Sequence, residues 1–222
     1  MENYFVDQEV VDINTALHSK RHRHSPSENI VRLVQWFFKT RGRVLDYGCG
    51  DGSNMEFLLE QGYTVDGIDI AENAIARVRD RLKGYSGWTA DILRPCDEAL
   101  PYQDNQFDFI VCNQVIYYLG SKERIKRLLN EFQRVLKPNG KVIITTMSRF
   151  NDGCTKGRII GENIYEWEMG PVKKNINVYV FRDEKHIREV INMFNIVEIG
   201  YMDNYYCGVS GHHWVVLAEN KK

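Results

Sequence analysis

The sequence predicts an α/β fold: a doubly wound, mostly parallel sheet held between two layers of helices, an α-β-α sandwich. Two observations carry that expectation. From residue 26 to about 147, segments with helical period alternate with strand-like segments. The strands are apolar along their whole length, as strands covered on both faces must be. The 222 residues, 43% apolar and 27% charged, are enough for one substantial core.

The elements follow in order. "SPSENIVRLVQWFFKT" opens with Ser25 as candidate N-cap, Pro26 at the first helical position and Glu28 three after the cap. Ile30, Leu33, Val34, Phe37 and Phe38 then give one apolar face. A strand runs from Arg43 to Tyr47 and ends in glycines. A helix follows from Ser53 to Gln61, stopped by Gly62. A second strand, Tyr63 to Ile68, ends at Asp69, and a helix spans Ala71 to Lys83. "YSGWTAD" is a third strand ending at Asp91, and "FDFIVCN" a fourth ending at Asn113. Ser121 caps a long helix stopped by Pro138-Asn139-Gly140, and "KVIITTM" is the next strand. Residues 148–180 lack a clear period. A helix over Asp183–Phe194 and two strands, Ile196–Tyr201 and Trp214–Ala218, complete the chain, the last two as an antiparallel hairpin at the sheet edge.

Bulk properties narrow the function. A formal net charge of −1 argues against a broad basic field for nucleic acid. The cluster Lys20-Arg21-His22-Arg23-His24 reads as a solvated segment before a helix. Five cysteines, odd in number and without CxxC spacing, imply a reduced chain with no disulfide framework or structural zinc. The acidic N-terminus does not resemble a signal peptide, and no apolar run approaches the roughly 20 residues that cross a bilayer. The expectation is a soluble, cytoplasmic protein.

In an open parallel sheet, ligands bind beyond the carboxyl ends of the strands. Four polar signals fall there: "GCGDG" after the first strand, Asp69 after the second, Asp91 after the third and Asn113 after the fourth. The glycines let backbone approach a ligand closely, and Asp69 lies about 20 residues on, where an acid accepts ribose hydroxyls. Asp91 with Ile92 could meet an adenine, or Asp91 could cap the next turn. A dinucleotide loop spaces its glycines GxGxxG to receive a pyrophosphate. Here Gly48, Gly50 and Gly52 place the third glycine one residue early, and Asp46 and Asp51 would repel phosphates. A cationic adenosine derivative, S-adenosylmethionine, suits these carboxylates better than NAD(P).

"VLDYGCGDG", "GIDIAENAIARVR", "LPYQDNQFDFIVCNQVIYYL" and "RVLKPNGKVIITT" together resemble the class I S-adenosylmethionine-dependent methyltransferase family, small-molecule type, from about residue 28 to 147. The resemblance implies a Rossmann-like, seven-stranded sheet with an antiparallel final strand. It implies Asp46 near the methionine amino group and the backbone of Gly48, Cys49 and Gly50 along the methionine part. It implies Asp69 on the ribose, Ile70 against adenine, Asp91 and Ile92 at the adenine edge, and the Asn113 carbonyl toward the ammonium. The corresponding division is one domain: residues 1–25 a lid, 26–147 the cofactor core, 148–182 an acceptor cap, 183–222 the final helix and hairpin.

The acceptor is less legible. Asn113-Gln114-Val115-Ile116 departs from the (N/D)PP(Y/F) of nucleic-acid amino-methylating enzymes, and Pro95-Cys96 follows the wrong strand for a cytosine-C5 nucleophile. The expectation is a small molecule, methylated on oxygen or nitrogen: a sugar or an intermediate of surface-polysaccharide assembly, handled by a monomer or homodimer with no nucleic-acid partner. An NAD(P)-dependent oxidoreductase and a non-catalytic S-adenosylmethionine-binding subunit stand as alternatives. Candidate general bases are His24 and His212, the latter beside His213, with surface histidines as the bland alternative. No metal is expected, since neither histidine pair has a carboxylate or cysteine at ligand spacing. Tyr117 and Tyr118 could wall the methyl site. Tyr165, Glu166, Trp167 and Glu168 could line an acceptor pocket, Arg158 could hold an anionic group, and Arg21 or Arg23 could meet the methionine carboxylate.

Overall fold

The computed structural model describes residues 6–20, 25–95, 97–169, 173–206 and 209–222. Seven strands form one sheet: β1 (Arg43–Tyr47), β2 (Thr64–Asp69), β3 (Trp88–Ile92), β4 (Phe107–Asn113), β5 (Leu136–Met147), β9 (Phe194–Tyr206) and β10 (Val209–Asn220). Their order is β3-β2-β1-β4-β5-β10-β9. Strands β1 to β5 are parallel, and β10 runs antiparallel to both β5 and β9. The final strand is therefore the antiparallel one, inserted one place in from the edge that β9 occupies.

Helices cover both faces. On one lie α2 (Glu28–Phe37), α3 (Ser53–Glu60) and α4 (Glu72–Arg81), packing Val34, Leu58 and Val78 against Val44, Val65, Val111 and Ile143. On the other lie α5 (Lys122–Val135) and α7 (Glu184–Val190), packing Phe132 and Val190 against Leu45, Ile110, Val142 and Ile144. Neighbours Val44 and Leu45 thus serve opposite cores, which is why β1 reads as an unbroken apolar run. Each such burial contributes about 1.5–3 kcal/mol, against propensity differences under about 1 kcal/mol per residue. The two packed layers, more than local preference, set where the helices lie.

The structure differs from the sequence reading in several places: Pro138-Asn139-Gly140 lies within β5 rather than ending the preceding helix, α7 ends at Val190, and β9 starts at Phe194. The N-cap of α2 is Ser27, and its side chain makes no capping bond because its hydroxyl accepts from Asn113 Nδ2 at 3.1 Å. Residues 148–182 are not irregular: after the short helix α6 (Asp152–Thr155) they form an antiparallel meander, β6 (Arg158–Gly161), β7 (Ile164–Met169) and β8 (Lys174–Tyr179). Near the N-terminus Gln8–Lys20 forms α1, which packs on α4 and β8. Asn73 Nδ2 ties α1 to α4 by donating to Thr15 O at 2.8 Å and Ser19 Oγ at 2.9 Å. Val10, Ile13 and Leu17 of α1 join Ile176 and Val178 of β8 in a third apolar cluster that also takes in Tyr117 and Met147. Among the described residues no helix is long and apolar enough to cross a membrane.

Candidate functional site

The glycine loop between β1 and α3 holds three left-handed residues: Gly48 (φ 74°), Gly50 (φ 57°) and Gly52 (φ 81°). Only glycine adopts these angles without strain. The N–H groups of Gly48 and Cys49 donate to Ile68 O at 2.8 and 3.1 Å, folding the loop back over β2. A Cβ at Gly48 would collide with the Val115 side chain, so the loop after β1 and the turn after β4 touch there. Burial raises the Cys49 thiol well above its usual range, with the Asp69 charge adding to it; the side chain stays protonated.

Asp46 and Asp69 flank this loop. Asp46 is 1% exposed, and its Oδ2 has no hydrogen-bond partner. Burial, and secondarily the Asp69 charge, raises its carboxyl pKa to about 7. A buried acid without a partner is costly as an anion, and a cation beside it removes the cost. Asp69, also buried, accepts from Gly50 N–H and Ala71 N–H at 2.9 Å each, one on each oxygen. A carboxylate has about four lone-pair sites, so each oxygen keeps capacity for a hydroxyl. The third loop carboxylate, Asp51, also lines the cavity beside this loop and pairs with Arg81 at 3.6 Å.

At the end of β4, Asn113 is locked by three groups. Its Oδ1 accepts from Thr145 Oγ1 (2.8 Å) and Asn29 Nδ2 (3.0 Å), while Nδ2 reaches Ser27. Gln114 follows in a left-handed conformation (φ 58°) and donates its N–H to Thr145 Oγ1 at 2.8 Å. That turn throws Val115 over the glycine loop and starts a 3-10 turn, Ile116–Leu119, carrying Tyr117 and Tyr118 with ring centroids 4.3 Å apart.

These parts surround a cavity of about 180 Å³ roofed by Val10, Asn14, Leu17 and His18 of α1. The roof is close: a methyl added at Gly50 would come within 3.3 Å of His18 Cε1. Of the residues expected at the cofactor, Gly48, Cys49, Gly50, Asp69, Ile70 and Asn113 line this cavity, as do Tyr117 and Tyr118. Asp46, expected at the methionine amino group, is buried and does not line the cavity. Asp91 is exposed, and neither it nor Ile92 reaches the lining; Leu93, the next residue, does. The α1 side chains, Asn54 and Leu93 were missed by sequence reasoning. An apolar i, i+3, i+7 spacing over Val10, Ile13 and Leu17 was the available signal.

The candidate bases separate. His24, with Arg21 and Arg23, lies outside the described residues. His212 is not in the cavity wall: its Nδ1 shares a hydrogen bond with Ser148 Oγ at 2.7 Å, and its ring stacks on Tyr201 at 5.1 Å. His213 faces the other side of β10, paired in register with Met147, its ring centroid 6.2 Å from that of Tyr117. Burial depresses its pKa to about 4, so the imidazole is neutral, and Nδ1 has no partner. Arg158 is engaged with Glu166 at 3.1 Å. No cluster of three metal-ligating side chains occurs among the described residues.

A protein-family model described as "Methyltransferase domain" matches residues 45–144. A ubiquinone biosynthesis O-methyltransferase of Rickettsia typhi is 26% identical over 203 residues, 87% of this chain and 76% of that protein. A putative methyltransferase, YqeM of Bacillus subtilis, is 28% identical over 128 residues, 57% of this chain and 51% of that protein. The chain spans about half the length of most of the curated relatives it matches. Among solved structures, the N-methyltransferase NodS of Bradyrhizobium japonicum WM9, in complex with S-adenosyl-L-homocysteine, superposes with TM-score 0.66 at 17% identity, covering 100% of both chains. Taken with the strand order and the polar residues at its carboxyl ends, these similarities support a class I S-adenosylmethionine-dependent methyltransferase.

Proposed function

We propose that this protein transfers a methyl group from S-adenosylmethionine to an oxygen or nitrogen of a small molecule, and that the acceptor is a sugar or an intermediate of surface-polysaccharide assembly. The single observation that carries the methyl-donor part is Asp46: a buried, unpartnered carboxylate beneath a glycine loop, with Asp69 beside it. That pair suits an ammonium-bearing adenosine and opposes a pyrophosphate, which sets the NAD(P) alternative aside.

S-adenosylmethionine, when bound, supplies an electrophilic methyl carbon. The residues that would hold it are Asp46 and Asn113 at the amino group, Gly48, Cys49 and Gly50 along the methionine part, Asp69 at the ribose and Ile70 at the adenine. Leu93 joins Ile70 there, with Asp91 and Ile92 at the rim. Methyl transfer depends mainly on alignment and exclusion of water. Helix α1 serves as the lid, the meander β6–β8 as the acceptor cap, and Tyr117 and Tyr118 as the wall against which the acceptor is aligned. Small-molecule sites span about 300–1,000 Å³, so the cavity admits a nucleoside by yielding at α1.

A roofed cavity with carboxylates around it favours a small acceptor over nucleic acid, and the O-methyltransferase activity named for the Rickettsia relative supports oxygen as an acceptor atom. The protein acts in the cytoplasm as a monomer or homodimer. Incubation with methyl-labelled S-adenosylmethionine and a panel of sugars, amines and phenols tests this. Label on an oxygen or nitrogen of a panel member supports it. Tight cofactor binding with no transfer to any member favours a non-catalytic binding subunit.

A further inference from the structure

A second cavity, about 420 Å³, lies between the start of α1, the start of α5 and the meander. It shares a wall with the first: Val10, Tyr118 and Leu119 line both. Its character is different. Its lining includes the charged and amide side chains Asp7, Glu9, Glu166, Arg124, Asn175 and Asn177.

We propose that this second cavity is the acceptor subsite, and that it takes a neutral or cationic small molecule bearing several hydroxyl or amine groups. This rests on the methyl-transfer function proposed above for the first cavity. Three observations lead to it. The volume falls within the about 300–1,000 Å³ of small-molecule sites. Val10, Tyr118 and Leu119 form the shared wall, so a molecule held here lies directly against the first cavity. The lining carries three carboxylates: Asp7 is bidentate to Arg124 at 2.5 and 2.6 Å and Glu166 pairs with Arg158, which leaves one carboxylate charge in excess. A phosphorylated or carboxylated acceptor would meet net negative charge. Hydroxyls and amines would meet carboxylate oxygens and two carboxamides, which both donate and accept.

The lining is also held in place. The Asp7–Arg124 pair pins the start of α1 to α5, and Arg158 fixes Glu166. Asn175 and Asn177 alternate with buried Ile176 and Val178, which anchor β8 and leave the two carboxamides on its outer face.

The test uses the full chain, with and without S-adenosylhomocysteine, titrated by ligand-observed NMR with D-glucosamine, D-glucosamine 6-phosphate and catechol. Saturable glucosamine binding is expected. Asn177→Ala, at an exposed strand position, and Glu166→Gln should each weaken it about fivefold, as removal of one hydrogen bond does. Both variants should keep the wild-type circular dichroism and S-adenosylhomocysteine affinity, and the 6-phosphate should bind more weakly than glucosamine. Failure of glucosamine to saturate, whatever catechol does, overturns the subsite. Equal binding of the 6-phosphate, or unchanged glucosamine affinity in both variants, overturns it too. Glucosamine binding without S-adenosylhomocysteine binding would leave the subsite standing and remove the methyl-transfer function; the reverse result does the opposite.

Discussion

The carboxylate of Asp69 accepts the backbone N–H of Gly50 at 2.9 Å, so the acid that ends β2 and the loop after β1 form one unit. Its second oxygen fixes Ala71 N–H, the N-cap of α4. Substituting Asp69→Ala should therefore do two things: strand two N–H groups, one of them buried, and remove the proposed ribose acceptor. Cofactor affinity should fall by roughly 1–3 kcal/mol, about 5- to 150-fold. Calorimetry with S-adenosylhomocysteine on Asp69→Ala checks this, with an unfolding curve to read the structural part separately.

Asp46 makes cofactor affinity pH-dependent. Its carboxyl is raised to about 7 by burial and by the Asp69 charge, and a cationic ligand favours the ionised form. Affinity for S-adenosylmethionine should rise with pH through 7 and fall below it, by at most about tenfold per pH unit. Asp46→Asn should bind more weakly at pH 8 and show a flatter profile. Stability of the ligand-free protein has the opposite sign. The folded state keeps a proton that the unfolded state releases between pH 3.8 and about 7, so this contribution is full below 3.8 and lost as pH rises through 7. Titrations from pH 5.5 to 8.5 on both proteins decide it.

Gly48→Ala tests the contact between the two turns. Left-handed backbone costs a non-glycine residue about 1–2 kcal/mol, and the new methyl strikes Val115. Gly48→Ala should lower stability by more than that figure. Adding Val115→Ala should recover the steric part but not the conformational part, as a double-mutant cycle in urea would show.

His213 contributes to the acid limb of stability. His213 is neutral when folded, with a pKa near 4 against about 6.5 unfolded. Its contribution is present above pH 6.5 and lost as pH falls toward 4. His213→Gln should flatten that loss relative to wild type. Thermal midpoints from pH 7.5 to 4.5 on both proteins check it.

Much of this site was legible because its chemistry sits at strand ends. Asp69, Asn113 and the glycines interrupt apolar runs at predictable places, and Ser121 caps α5 by accepting Arg124 N–H as its position suggests. What was not legible depends on partners distant in sequence. Ser25 looked like a cap because nothing local reveals that Ser27 is held by Asn113. Gln114 is left-handed because Thr145 captures its N–H, and glutamine gives no warning of that. Helix α1 hides in a polar stretch whose few apolar residues find their cover on β8. The meander did alternate, with Ile176 and Val178 inward, but its strands are short and broken by Gly and Asn.

The proposal that Asp46, Asp69 and the glycine loop hold a cationic adenosine cofactor is tested by parallel calorimetric titrations of the wild-type protein with S-adenosylmethionine and with NADH. Saturable one-to-one binding of S-adenosylmethionine in the micromolar range is expected, with no saturable binding of NADH. Tight NADH binding with no response to S-adenosylmethionine would contradict it.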